Sequence, residues 1–491
     1  MPKVSFALID VSQIAAGSYF IGFNLDTAGS LSKMDSSGTI TLLEGGGVVD
    51  TDSGTCSTYR ISTSNTASGD YSTVFGYTNT ASGYGSTISG GYNNIVNFDL
   101  STVSGGYGNT SSGYYSVVGG GAYNVAASDY STVSGGYNNL ATNIASTVSG
   151  GYSNTASGYG STTGGGVANN TNSVYSTISG GCSNTVSSDY GFSTISGGSF
   201  NTASSYYGCE SIGGGSNNTA SGSYSTIGGG IGNTASGYGS TVSGGYSNVA
   251  SNSCSTVSGG YTNVASSQYS TVSGGYSNVA SGDCSTVGGG YSNTASGYCG
   301  ATVSGGYNNT ASGYNSTVSG GRNNTASGYC GATVGGGYSN TASGCYGATV
   351  SGGYGNTASG YNSTVSGGRT NTASGYCSTV SGGINNTASG YCSIVGGGIG
   401  NTASAYSSTV SGGNSNTVNG DYSAILGGRN NGICSSYVDT FVVGSNIIPD
   451  RSCATFVNQL SIVNLQDGSS GLVTKSVYYC STDGNRLYFV P

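Results

Sequence analysis

The sequence predicts an all-β protein built around a parallel β-solenoid, a β-roll of about 24 coils of 15–17 residues. Three observations carry that expectation. A unit of fifteen residues, Y-S-N-T-A-S-G-Y-G-S-T-V-S-G-G with small variations, recurs from about Ser62 to Arg429. Within it β-branched residues alternate with Ser and Gly, and no apolar stripe at i, i+3, i+4 spacing supports a helix. A fixed period of this length marks a repeat array, whose units bury their apolar faces only against their neighbours.

The residue after each glycine pair sets the register. Tyr246, Tyr261, Tyr276 and Tyr291 step by fifteen, and the step is sixteen where an extra residue enters before A-T-V, as in Tyr298-Cys299-Gly300-Ala301. Two steps of seventeen fall around Phe192 and Tyr207. Each unit is itself a near duplication, since N-T-A-S-G and S-T-V-S-G share one pattern. In Ser316-Thr317-Val318-Ser319-Gly320 a period of two puts Ser316, Val318 and Gly320 on one face and Thr317 and Ser319 on the other. The partner segment offers Asn309, Ala311 and Gly313, so a Val or Ile faces an Ala in a thin interior. Collagen is excluded, because Gly does not fall every third residue and Pro numbers only 3. The strict apolar column separates the array from disordered Gly/Ser tracts.

The chain divides by pattern into three. Residues 1–61 form an N-terminal β-rich attachment or capping region, with Ser18–Phe23 and Gly38–Leu43 reading as strands. Residues 62–432 are the shaft; at about 4.8 Å per coil, about 24 coils reach roughly 115 Å. Residues 433–491 leave the repeat and form a C-terminal β-rich cap or tip, with strands at Phe441–Gly444, Ala454–Val457, Gln459–Val463 and Arg486–Val490. Lys3 precedes only a short apolar run from Val4 to Ile9, which is not a secretory signal. No stretch approaches the ~20 apolar residues of a membrane helix.

Composition narrows the function. Charged residues are 5% of the chain, net charge is −8, and His and Trp are absent. Within the array seven acids and three arginines are scattered singly, so no basic patch for nucleic acid exists. Without His, no nucleophile, base and orienting acid can be assembled, and the reading is of a protein that is not an enzyme. The glycine pairs carry no Walker lysine, and no Cys-x-x-Cys pair or His offers a zinc site, so no cofactor and no metal are expected. The expected place is a virion surface or the extracellular space.

The half-repeats Asn233-Thr234-Ala235-Ser236-Gly237 and Ser240-Thr241-Val242-Ser243-Gly244 resemble the head repeats of trimeric autotransporter adhesins. That resemblance implies short coils stacked into a parallel β-roll, with the chain itself as partner in a homotrimer. The family often carries aliphatic residues at the intervening positions, whereas Thr241 and Ser243 stand here, so a trimer packed through this face is a polar one. The sequence is read as carrying neither the signal nor the anchor an autotransporter needs, so a different carrier of the repeat is expected. Its last segment, from Thr455 through Gly471-Leu472-Val473 to Tyr488-Phe489-Val490, resembles the closing segments of phage and large-virus fibre proteins. Together these imply a viral or phage fibre that gives reach, attached to a virion or cell surface through its N-terminal region and contacting a host glycan or protein receptor, or neighbouring fibres. Alternatives are a self-assembling extracellular filament subunit or a cellular adhesin.

Four residue sets are candidate sites. Thr241, Thr256 and Thr271, with Ser243, Ser258 and Ser273 beside them, would stack into a flat hydroxyl lattice similar to that of ice-binding solenoids, or into a carbohydrate-binding face. Cys254, Cys284, Cys299, Cys330, Cys377 and Cys392 read as one column, in which coil spacing permits disulfides between Cys284 and Cys299 and between Cys377 and Cys392; a stack of small unbridged residues is the other reading. Asn308, Asn323, Asn362 and Asn385 begin formal glycosylation sequons, for which stacked turn asparagine is the alternative. Turn tyrosines such as Tyr238, Tyr298, Tyr314, Tyr329, Tyr361 and Tyr376 would sheathe the solenoid edge or stack on sugars.

Overall fold

The structure, a computed structural model, describes residues 64–458 throughout. Beyond them it describes the strands Phe20–Phe23, Leu31–Met34, Ile40–Leu42, Val49–Asp50 and Thr58–Arg60 on one side and Val477–Cys480 and Arg486–Phe489 on the other. Two compact units result, Met1–Cys284 and Ser285–Pro491. The same parallel β-solenoid coil builds each.

In the first unit, strands of Thr-Ala type run from Thr66–Ala67 to Val279–Ala280, and strands of Thr-Val type from Thr73–Val74 to Thr271–Val272. Within the unit these strands pair in parallel from coil to coil: Thr241 with Thr256 and Val242 with Val257, Thr234 with Val249 and Ala235 with Ala250. A third, narrower column of single bridges joins the residues after the glycine pairs, Tyr246 to Tyr261 to Tyr276. The second unit repeats the plan, with Thr302 on Thr317 and Thr310 on Thr325. Its parallel pairing runs on through Gly432–Ile433, Phe441–Val443 and Thr455–Val457. Near the start of the chain Leu31–Met34 pairs antiparallel with Phe20–Phe23 and with Ile40–Leu42. Near its end Val477–Cys480 pairs antiparallel with Arg486–Phe489; the expected strand Gln459–Val463 lies outside the described residues. Among the described residues no helix is long and apolar enough to cross a membrane.

The period-two reading of the faces holds. Val318 and Ala311 are fully buried with Ser316, Asn309 and Gly313, Thr317 and Thr310 are half-buried, and Ser319 and Ser312 are exposed. Gly320 is half-exposed where the sequence placed it inside. The paired strands are also shorter than the five-residue segments read from sequence, because only two residues per strand hold regular pairing. The cause lies just upstream of each strand. Gly239 has φ 61 two residues before Thr241, and Ser247 has φ 51 two residues before Val249, so a left-handed residue turns the chain into the sheet at the last moment.

Interior cohesion comes as much from asparagine as from Val over Ala. Asn248 is fully buried, and its Nδ2 donates to the Gly244 carbonyl at 2.8 Å and to the Gly260 carbonyl of the next coil at 2.9 Å. Its Oδ1 accepts the backbone N–H of Asn263 at 2.9 Å. In the second unit Asn386 repeats this arrangement with Gly382, Gly398 and Asn401. One side chain thereby reaches three backbone groups at a turn where the bridge column pairs only the Gly260 carbonyl, with the Tyr246 N–H, which is what a buried turn requires. The second glycine of the pair is obligatory for the same closeness: at Gly245, φ +92, an added Cβ would lie 2.2 Å from the Gly260 carbonyl oxygen.

Candidate binding faces

The hydroxyl lattice exists as a register. Thr241, Thr256 and Thr271 pair in line on one outer face, half-buried, and Ser243, Ser258 and Ser273 beside them are exposed. The matching face of the other sheet is less regular in the first unit, where Val249, Val264 and Val279 take the threonine place, and more regular in the second, where Thr294, Thr310, Thr325 and Thr341 follow one another.

Tyrosine forms ladders whose rings face each other. Tyr246, Tyr261 and Tyr276 stack with centroids 4.8 and 4.9 Å apart and planes within 5°. In the second unit Tyr361, Tyr376, Tyr391 and Tyr406 stack at 4.6, 4.8 and 5.1 Å. Partial burial, followed by the neighbouring phenols and thiols, raises the pKa of Tyr376 and Tyr391 above the ordinary phenol value. Rings stacked this way spend their faces on one another, so a sugar ring meets edges and hydroxyls there rather than an open π-face. Two of the arginines are spent likewise. Arg322 lies over the rings of Tyr307 and Tyr338 at 5.0 and 5.6 Å and fills a gap in a tyrosine ladder, and Arg369 lies over Tyr354 at 5.5 Å with Ile384 on its other side.

Two rings reach further out, although Tyr329 still meets the Tyr346 ring edge-on at 5.9 Å. In the sixteen-residue coils the extra residue pushes Tyr298 and Tyr329 outward, to 82% and 70% exposure, the highest of the exposed tyrosines. Sequence reading grouped them with Tyr238, Tyr314, Tyr361 and Tyr376; the signal that sets them apart was the inserted residue before A-T-V.

That insertion also divides the cysteine column. Cys254 and Cys284 in the first unit and Cys377 and Cys392 in the second occupy the left-handed position with φ between 51 and 54. In the sixteen-residue coils Gly300 and Gly331 take that position, with φ 66 and 67, and Cys299 and Cys330 precede it. Cys330 accordingly bridges Tyr314 and Tyr346. Cys299 is therefore not the register equivalent of Cys284, and the single column read from sequence is two. Cys377 and Cys392 are true equivalents in successive coils, present as thiols. Burial, then the nearby Cys377 thiol, raises the pKa of Cys392.

The sequon asparagines share the other left-handed turn position, with φ 52 at Asn308, 57 at Asn323 and 57 at Asn385; Asn362 takes the cysteine-type position with φ 50. All four are exposed or half-exposed. Asn308 Nδ2 donates to Asn323 Oδ1 at 3.0 Å, a stack of the kind expected of turn asparagines. Among the described residues no three His, Cys, Asp or Glu side chains gather as a metal-holding group.

Fold and faces define a neutral β-solenoid repeat with hydroxyl-lined sheets and aromatic edges. Consistent with this class, the family profile of the ubiquitous surface protein adhesin repeat matches residues 146–158 and again 270–282. At these two places the coils are similar to adhesin repeats. No curated protein matches the chain.

Proposed function

We propose that this chain is a fibrous, adhesin-like surface protein whose solenoid provides reach and whose exposed features make contacts. The observation that carries this reading is the coincidence of an adhesin-repeat match with the coil geometry: residues 146–158 and 270–282 each run from the buried Ser of one Thr-Val strand across the glycine turn into the next Thr-Ala strand. The finer reading is a viral or phage fibre that self-associates as a homotrimer and meets a host receptor. The rings we assign to such a contact are Tyr298 and Tyr329, the most exposed of the tyrosines.

Two measurements test this. Light scattering of the purified chain in native buffer is expected to give three times the 48.0 kDa monomer mass, and a 48.0 kDa particle would sink the trimer. Electron microscopy of the native source is expected to show fibres at discrete sites on particles; filaments growing from pure protein alone would favour the filament reading instead.

A further inference from the structure

The array breaks its own period where it encloses its only buried acid. Glu210 is 1% exposed and stands in the inner column that Ser176, Ser193 and Ser225 occupy in neighbouring coils. It lies in the two seventeen-residue coils, the longest in the first unit. There Ser188 and Ser205 replace the inward glycines Gly158 and Gly222, and the segment back to the strand lengthens: Ser188 and Ser193 are five residues apart, where Gly83 and Ser86 are three. The wider coil accommodates the larger side chains. The ordinary coil around Gly222 is tighter, since an added Cβ there would lie 2.1 Å from the Gly237 carbonyl oxygen.

The carboxylate is half-satisfied. Ser188 Oγ donates to Glu210 Oε2 at 2.6 Å, and Ser193 Oγ donates to the same oxygen. Oε1 is buried with no hydrogen-bonding partner. Nor is there a countercharge, because residues 64–284 contain no Lys or Arg. A buried carboxylate left in this state is costly, and the cost is relieved by a proton or by a cation from solution. A hydroxyl route leads there: the half-exposed Ser223 donates to Ser205 Oγ at 3.1 Å, and Ser205 N–H reaches Ser188 Oγ at 3.4 Å.

We infer that Glu210, with the hydroxyls of Ser188, Ser193 and Ser205, forms an internal site for a small monovalent cation such as sodium. The remaining ligands are hard, neutral oxygens, which suit an alkali ion. One carboxylate balances one positive charge, whereas calcium sites gather several carboxylates. The ion would lock the two widened coils, whose extra residues otherwise loosen the register.

Hydrogen exchange of the whole chain, read by mass spectrometry on peptides covering 183–216, tests this in sodium chloride against choline chloride at equal ionic strength and pH. With sodium about tenfold above its dissociation constant, exchange there should slow about tenfold, while coils 233–262 stay unchanged. Glu210→Gln, which keeps shape without charge, and Glu210→Ser, which restores the column residue, should both abolish the sodium effect. Equal exchange of the wild-type chain in the two salts would overturn the site, and so would a sodium effect that survives in either variant.

Discussion

At the scale of the residue, the interior shows how strictly polar groups are paired. Thr163 stands where the adjacent coils have Val148 and Ile178, and Thr171 where they have Ala156 and Val186. Both are fully buried, and their hydroxyls meet at 2.8 Å, with Thr163 Oγ1 also 3.0 Å from the Thr155 carbonyl. Two departures from the apolar column therefore compensate each other. Thr163→Val alone strands the Thr171 hydroxyl and should cost about 1–3 kcal/mol. The double change Thr163→Val with Thr171→Ala restores the Val-over-Ala pair and should recover most of that loss. Chemical denaturation of the two single variants and the double variant measures the coupling; purely additive costs would refute the pairing.

At the scale of the element, the asparagine ladder holds the turn that the strands do not. Asn248→Ala removes two donors and an acceptor, stranding the Gly244 carbonyl and the N–H of Asn263, while the Gly260 carbonyl keeps the Tyr246 N–H. At roughly 1–3 kcal/mol for each buried group, the coil should lose several kcal/mol of local stability. Asn248→Asp keeps the acceptor yet loses both donors and adds a buried charge, so it should be no milder. Exchange of the Asn263 amide reports the effect directly, and unchanged protection in both variants would show that the ladder is incidental. This element also marks the limit of what sequence revealed. Alternation placed Val318, Ala311 and Asn309 inward, and a fifteen-residue period sufficed for the coil. The use of Asn309 as a ladder was not visible, because its partners are backbone atoms of glycines four residues before it and twelve after it. The left-handed positions were hidden for another reason: Leu100, Tyr175 and Cys377 occupy them, and bulky residues seldom signal positive φ. The split between Cys299 and Cys377 follows from that concealed turn.

At the scale of the whole molecule, a stack in which each coil contacts its neighbours should tolerate loss of a full coil and resist loss of half of one. Excising residues 241–255 joins Ser240 to Thr256, so Thr226 meets Thr256 as it formerly met Thr241, and every column keeps its residue type. Asn233 then receives Asn263 in place of Asn248, and the ladder closes. Excising residues 241–248 joins Ser240 to Val249 instead. That deletion removes a glycine turn and one asparagine, bringing a serine half-repeat where the ladder needs the next Asn; a serine hydroxyl cannot supply two donors to two carbonyls. The fifteen-residue deletion should leave far-UV circular dichroism per residue and the denaturation midpoint nearly unchanged. The eight-residue deletion should broaden the transition and release exchange protection on both sides of the junction, because each coil draws its stability from the next. Equal tolerance of the two deletions would mean that the half-repeats are interchangeable, and that neither the asparagine column nor the glycine turn sets the register.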